Sequence, residues 1–250
     1  MNKKIVFTII VAFLMTVKAN AGNNNLASID YVQSQITILL NYVNSQISNI
    51  PVTPTYTIGQ HALGGIVFYV DSSGAHGLVA ANSQFAPDPF APGQTWDGGL
   101  SSNIGNITVN STGSGVGAGA MNTSLSVGVQ SAYAADNNVS LSGMAAQYCV
   151  DFSVQDDGLT ACSNPGSVGE SCYSDFYLPS LYELNQMFLR NSVLNIYPNN
   201  PNEAFFWSST EDNSTSPRTN AWRINFSVQS AQISSASKNS HSGAWCIRRF

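Results

Sequence analysis

The sequence predicts an α+β domain preceded by a short coiled-coil helix, and three observations carry that prediction. A seven-residue apolar repeat runs from Leu26 to Ile50. Two β-branched and aromatic runs flank a turn at Ile66–Val70 and Gly77–Ala81. One amphipathic helix, Ser180–Leu189, is followed by aromatic strand-like strings near the end of the chain. Strands at both ends with helices between them read as α+β.

In chain order, Lys3 and Lys4 precede an apolar run, Ile5–Val17, and then Ala19-Asn20-Ala21. A basic start, a short apolar stretch and a small-x-small site are the pattern of a secretory signal peptide, placed at 1–21 with cleavage before Gly22; an uncleaved N-terminal anchor is the rival reading. The run is too short to span a bilayer comfortably, and no later stretch is apolar enough, so no transmembrane segment is expected in the mature chain.

Residues 22–50 are read as an oligomerisation helix. Ile29, Ile36, Val43 and Ile50 recur at one heptad position, and Val32 and Leu39 lie three residues after the first two. Gln46 interrupts the seam, while Leu40 and Ile47 widen it, and a wide seam rich in β-branched residues suits three strands at least as well as two. A homotrimer through residues 26–50 is the expectation; a lone amphipathic helix packed on its own domain is the alternative. Pro51 and Pro54 end the helix, making 51–55 a short extended linker.

Residues 56–250 are long enough for one buried domain. Ile66–Val70, Asp71-Ser72-Ser73-Gly74 and Gly77–Ala81 read as strand, turn, strand. The stretch 85–145, rich in Gly, Ser and Asn, reads as long loops with one short helix near Ser142–Cys149. Pro179 opens the helix Ser180–Leu189, with Leu181, Leu184, Met187 and Phe188 on its apolar face. Phe205–Ser209, Ala221–Phe226 and Ala244–Arg248 read as strands. The alternation Trp222, Ile224, Phe226 puts Arg223 and Asn225 on the opposite, wetter face. Trp207, Trp222 and Trp245 are expected in the core rather than as sugar-stacking rings.

Charge is distributed unevenly. The whole chain is −5 at neutral pH, and without residues 1–21 six Lys and Arg stand against fourteen Asp and Glu. All six cations lie in 190–250, so that stretch is net +3 while 22–189 is net −11. Local potential decides which polyanions can approach, so Arg218, Arg223, Lys238, Arg248 and Arg249 are the candidate ligand-binding residues. The competing reading pairs these cations with carboxylates of the same fold.

Four cysteines in an exported chain imply two disulfides. Cys162 and Cys172 enclose the turn signal Asn164-Pro165-Gly166 and are paired, which leaves Cys149 with Cys246. A zinc site competes poorly, because no Cys-x-x-Cys occurs and the three histidines are dispersed. Asp156-Asp157-Gly158 offers carboxylates without a calcium-loop pattern, so no metal and no cofactor are expected. Nucleophile motifs and dinucleotide loops are missing, and nucleic acid is not an expected partner. Among carboxylates, Glu183 and Glu211 are the pair to test for glycan hydrolysis; the expectation is nevertheless a non-enzymatic protein.

Several strings occur in order: Ile58-Gly59-Gln60, Gly64–Asp71, His76–Ala81, Gly119–Thr123, Tyr177–Leu184, Phe206–Glu211 and Trp245–Arg248. Together they resemble the Lcl C-terminal domain family, named from the Legionella collagen-like adhesin, over about residues 57–250. The resemblance implies a compact C-type-lectin-like domain with its ends close together. It also implies display as a trimer at a cell surface, and binding of sulfated polysaccharides such as glycosaminoglycans. This chain departs from the family in having no Gly-x-y stalk, only the 51–55 linker, and in having few positive residues. The expectation is therefore a secreted or surface-displayed adhesin-like protein that binds an anionic polysaccharide. The alternative is a structural or protein-interaction module of the cell surface or biofilm matrix.

Overall fold

A computed structural model describes residues 29–48, 54–82, 93–163, 168–195, 205–215, 218–227 and 230–250. The signal-peptide reading and the 164–166 turn lie outside the described residues. The chain divides into two units, Met1–Thr53 and Pro54–Phe250.

In the first unit, the heptad stretch forms a 20-residue helix, α1 (Ile29–Ser48). The Ser34, Thr37 and Ser45 hydroxyls donate back to carbonyls three or four residues earlier, which lets these weak helix formers sit inside it. Its apolar surface is open: Ile36, Ile38, Leu40, Tyr31 and Tyr42 are all exposed.

The second unit is α+β. Its first sheet has four antiparallel strands in the order β1-β2-β3-β11, with β1 (His61–Ala62), β2 (Gly65–Val70), β3 (Gly77–Ala81) and β11 (Ile247–Arg249). The predicted strand–turn–strand is the β2–β3 pair, irregular between Val67 and Tyr69. Because β11 lies against β3, the two ends of this unit meet, and the Tyr56 and Phe250 rings pack edge to face at 4.8 Å.

The second sheet orders β7 (Phe205–Glu211), β8 (Asn220–Asn225) and β9 (Gln232–Ser237). Two short ribbons complete the strands: β4 (Gln94–Thr95) with β10 (His241–Ser242), and β5 (Val154–Gln155) with β6 (Cys172–Tyr173). The helices are α2 (Leu100–Asn103), α3 (Ala118–Asp136), α4 (Ala145–Val150), α5 (Leu181–Phe188) and α6 (Asn191–Leu194).

Two apolar clusters form the core. One joins Phe68 and Leu78 to Leu184, Met187 and Phe188 of α5 and to Phe206, Ile224 and Trp245; the other surrounds Trp96, Trp207 and the Cys149–Cys246 bridge. Trp207 and Trp245 are core residues as predicted, whereas Trp222 is half-buried. Asn225 departs from expectation: its face of β8 is covered there, and it is only 7% exposed. Both predicted disulfides form, Cys149–Cys246 and Cys162–Cys172.

The main correction concerns 85–145. Ala118–Asp136, read as loop, is a 19-residue helix. Its buried positions are Gly119, Asn122, Thr123, Ser126, Gln130 and Ala134. These follow helical spacing, but they are small or polar, so the period is invisible to a search for apolar residues. Polar contacts hold the first turns of this face in place. Asn122 Nδ2 donates to the Gly113 carbonyl at 2.7 Å, and Thr123 Oγ1 accepts from Leu178 N at 3.0 Å. The helix near Ser142–Cys149 is present as α4, and the Ser180–Leu189 helix as α5, opened by a reciprocal Ser180–Glu183 cap.

Candidate functional site

The five predicted cations do not form one patch. Arg218 Nη1 lies 2.9 Å from Glu211 Oε2, and Lys238 Nζ lies 2.6 Å from Glu211 Oε1. Lys238 is 1% exposed, donates also to the Ile107 carbonyl at 2.7 Å, and sits 4.9 Å from the Trp96 ring centroid. Burial pulls its ammonium below the ordinary lysine value, while Glu211 acts in the opposite direction. Arg248 reaches Asp175 through Nε at 2.6 Å and Nη2 at 3.1 Å, and lies over the Tyr173 ring. The reading of Arg218, Lys238 and Arg248 as open ligand contacts is therefore corrected. A long cation near an apolar core is stable there only when a carboxylate compensates it: Arg218 and Lys238 share the buried Glu211, and Arg248 has the exposed Asp175.

The carboxylates Glu183 and Glu211 are internal posts. Glu211 accepts from Val109 N at 2.9 Å and Asn110 N at 2.8 Å besides its two cations, which ties the 107–110 segment to β7. Glu183, fully buried, accepts from Gly117 N at 2.7 Å, Gly119 N at 3.1 Å, Ser180 N at 2.8 Å and the Tyr177 hydroxyl at 3.0 Å. One carboxylate thus caps its own helix α5 and the start of α3, where amide N–H groups converge and negative charge is favoured. Gly119 makes this approach possible, because a Cβ there would stand 2.5 Å from Glu183 Oε2.

Arg249 differs from Arg248, since successive residues of a strand point to opposite faces. It is exposed and forms no ion pair among the described residues. Arg249 lines a cleft of about 460 Å³ together with Tyr69, Asp71, His76, Val116 and Phe250. Two constraints shape this cleft. Gly117, at φ 84°, leaves room for Arg249 Nη1, which would come within 3.1 Å of a Cβ there. Opposite, the 71–76 turn is stitched by Asp71 Oδ1, which accepts from Ser73 N at 2.9 Å. The Ser73 hydroxyl holds the Asp71 carboxyl below the usual carboxylate range, helped by the Ser73 amide and the nearby His76. His76, expected as an exposed turn residue, is exposed and also lines the cleft.

The cleft therefore offers one guanidinium fork, one carboxylate, an imidazole and two aromatic side chains. That mixture suits a ligand with an anionic group, hydroxyls and an apolar face. Arg223, the fifth predicted residue, is half-buried on β8 away from these residues. Tyr69, Asp71, Val116 and Phe250 were missed as site residues. The cleft arises where β2, β3 and β11 meet the segment before α3, a junction that leaves no local signal in the chain.

No protein-family model matches the chain, and no curated protein matches it. Among the described residues no group of three or more His, Cys, Asp or Glu side chains could hold a metal ion. No described helix is long and apolar enough to cross a membrane.

Proposed function

We propose that the chain is a secreted or surface-displayed, adhesin-like binding protein for an anionic polysaccharide. Sulfated glycans of the glycosaminoglycan type are the ligand class, and the Arg249 cleft is the contact. The observation that carries the reading is Arg249 itself, an exposed cation that forms no ion pair among the described residues, in a cleft walled by Tyr69, Asp71, His76 and Phe250. The ordered strings that resemble the Lcl C-terminal domain family, the C-type-lectin-like arrangement that the resemblance implies and the signal-peptide-like pattern in residues 1–21 support the same reading. So does α1, whose heptad repeat and exposed apolar residues, Ile36 and Leu40 among them, are suited to join three copies and so raise the avidity of a weak site.

With three of the five cations in ion pairs within the fold, retention on immobilised heparin should fall with salt as for at most about two ionic contacts rather than five. Arg249→Gln should lower retention by an order of magnitude or more. A chain held no better by heparin than by a neutral sugar matrix at low salt would refute the polysaccharide reading. In light scattering the chain should be trimeric, and Ile36→Glu with Val43→Glu should make it monomeric; a parent chain that is already monomeric would refute the display mechanism.

The second reading, a protein-interaction module of the cell surface or matrix, is favoured by the internal neutralisation of Arg218, Lys238 and Arg248. A salt-insensitive complex with an envelope protein would select it.

A further inference from the structure

Among the half-buried and buried cations of the described residues, Arg223 alone has no carboxylate partner. It stands on the middle strand β8, opposite Trp207 of β7 and Ser234 of β9, so these three side chains share a sheet face. Phe205, two residues before Trp207, lies on that face as well. The guanidinium carbon is 4.1 Å from the Phe205 ring centroid and 5.8 Å from that of Trp207, and Nη1 donates to Ser242 Oγ at 3.0 Å. These contacts set both the position and the plane of the fork.

Its other donors are unused. Among the described residues, Nε–H and the Ser234 hydroxyl, both out of reach of solvent, have no hydrogen-bond partner, and Nη2 makes no hydrogen bond. Burial pulls the guanidinium below its ordinary arginine value. A methionine would pack on the two rings without carrying an uncompensated charge, so packing alone does not account for the group. In a chain this acidic, a fixed guanidinium with an open edge is a feature that an external anion completes.

We propose that Arg223 is a binding site for a single oxyanion, a sulfate or carboxylate group, received on its Nη2 edge. Ser234 lies directly across the strand pair, and its hydroxyl, like Nε, is closed to solvent, which leaves Nη2 as the edge that an anion from solvent can meet. The site shares no residue with the Arg249 cleft. It does not depend on polysaccharide binding, because a single small oxyanion suffices to occupy it.

The test is a titration of the full chain with sodium sulfate, and separately sodium acetate, at constant ionic strength held with sodium chloride. The readout is the Arg Nε–H resonances in nitrogen–proton NMR spectra. The Arg223 signal should shift saturably with at least one of the two anions; a response to sulfate alone assigns a sulfate ligand, and to acetate alone a carboxylate. Arg223→Lys, which keeps the charge but loses the planar fork, should weaken binding about tenfold or more, read from the resonance of the neighbouring Trp207 indole N–H. Arg249→Gln should leave the Arg223 response intact. No saturable shift with either anion, or unchanged affinity in Arg223→Lys, overturns the proposal. Absence of heparin retention alongside a saturable Arg223 shift would refute the polysaccharide function and leave this site standing.

Discussion

Replacing Glu183 with alanine removes the acceptor shared by four donors: the amides of Gly117, Gly119 and Ser180 and the Tyr177 hydroxyl. A buried donor left without an acceptor costs about 1–3 kcal/mol. Gly117 is half-buried and can recover water, so three donors remain orphaned in the interior. Loss of the negative charge at the start of α3 adds roughly 0.3–1 kcal/mol. The expected destabilisation is about 4 kcal/mol, a large share of the roughly 5–15 kcal/mol typical of a folded domain. With a urea slope of about 2 kcal/mol/M, the midpoint should fall by about 2 M. Equilibrium urea unfolding, followed by tryptophan fluorescence with the disulfides intact, measures this. Glu183→Gln, which keeps one acceptor oxygen, should fall by about half as much, and Tyr177→Phe, which removes one donor and orphans none, by about 1 kcal/mol. A Glu183→Ala midpoint within about 0.5 M of the parent would show that this carboxylate does not hold α3 against α5, and the reasoning would be wrong.

Glu211→Gln strands the 1%-exposed Lys238 ammonium and should cost about 3–5 kcal/mol, whereas Lys238→Met leaves Glu211 with Arg218 and two amides and should cost about 2 kcal/mol less; the reverse order in urea melts would defeat this account. Tyr177 is pushed well above the ordinary phenol range, chiefly by burial and then by Glu183. Above about pH 10 the unfolded phenol gives up its proton while the folded one keeps it. The stabilisation from this group is therefore complete below that pH and is lost as the pH rises beyond it, and Tyr177→Phe should flatten the alkaline decline. Loop-closure entropy ranks the disulfides. Opening Cys149–Cys246, with a sequence separation of 97, should cost about 4.7 kcal/mol, and opening Cys162–Cys172, with a separation of 10, about 2.7 kcal/mol. Paired Cys→Ala variants under thermal unfolding check the order.

Wherever the packing signal was both local and apolar, it could be read from the chain. The repeat Ile29, Val32, Ile36, Leu39, Val43 becomes α1, the two runs around Asp71–Gly74 become β2 and β3, and Ser180 with Glu183 announces the cap of α5. Both disulfides followed from spacing and one turn signal. The clustering after residue 189 of every Lys and Arg beyond Lys18 was equally visible, and Arg249 stands among them.

Tertiary structure alone decided which cations meet solvent. Arg248 and Arg249 are neighbours of identical chemistry, yet the strand turns one toward Asp175 and the other into the cleft. Helix α3 is the same lesson in backbone form. Its buried face is Gly, Asn, Thr, Ser, Gln and one Ala, so nothing large and apolar marks it, and its first turns are tied by hydrogen bonds of Gly117, Asn122 and Thr123 to groups some ten to sixty residues away. A hydrophobic period is a property of residues read in sequence. A hydrogen bond or an ion pair is a property of two positions that only folding brings within 3 Å, and this domain relies on such pairs to set its central helix and its charge map.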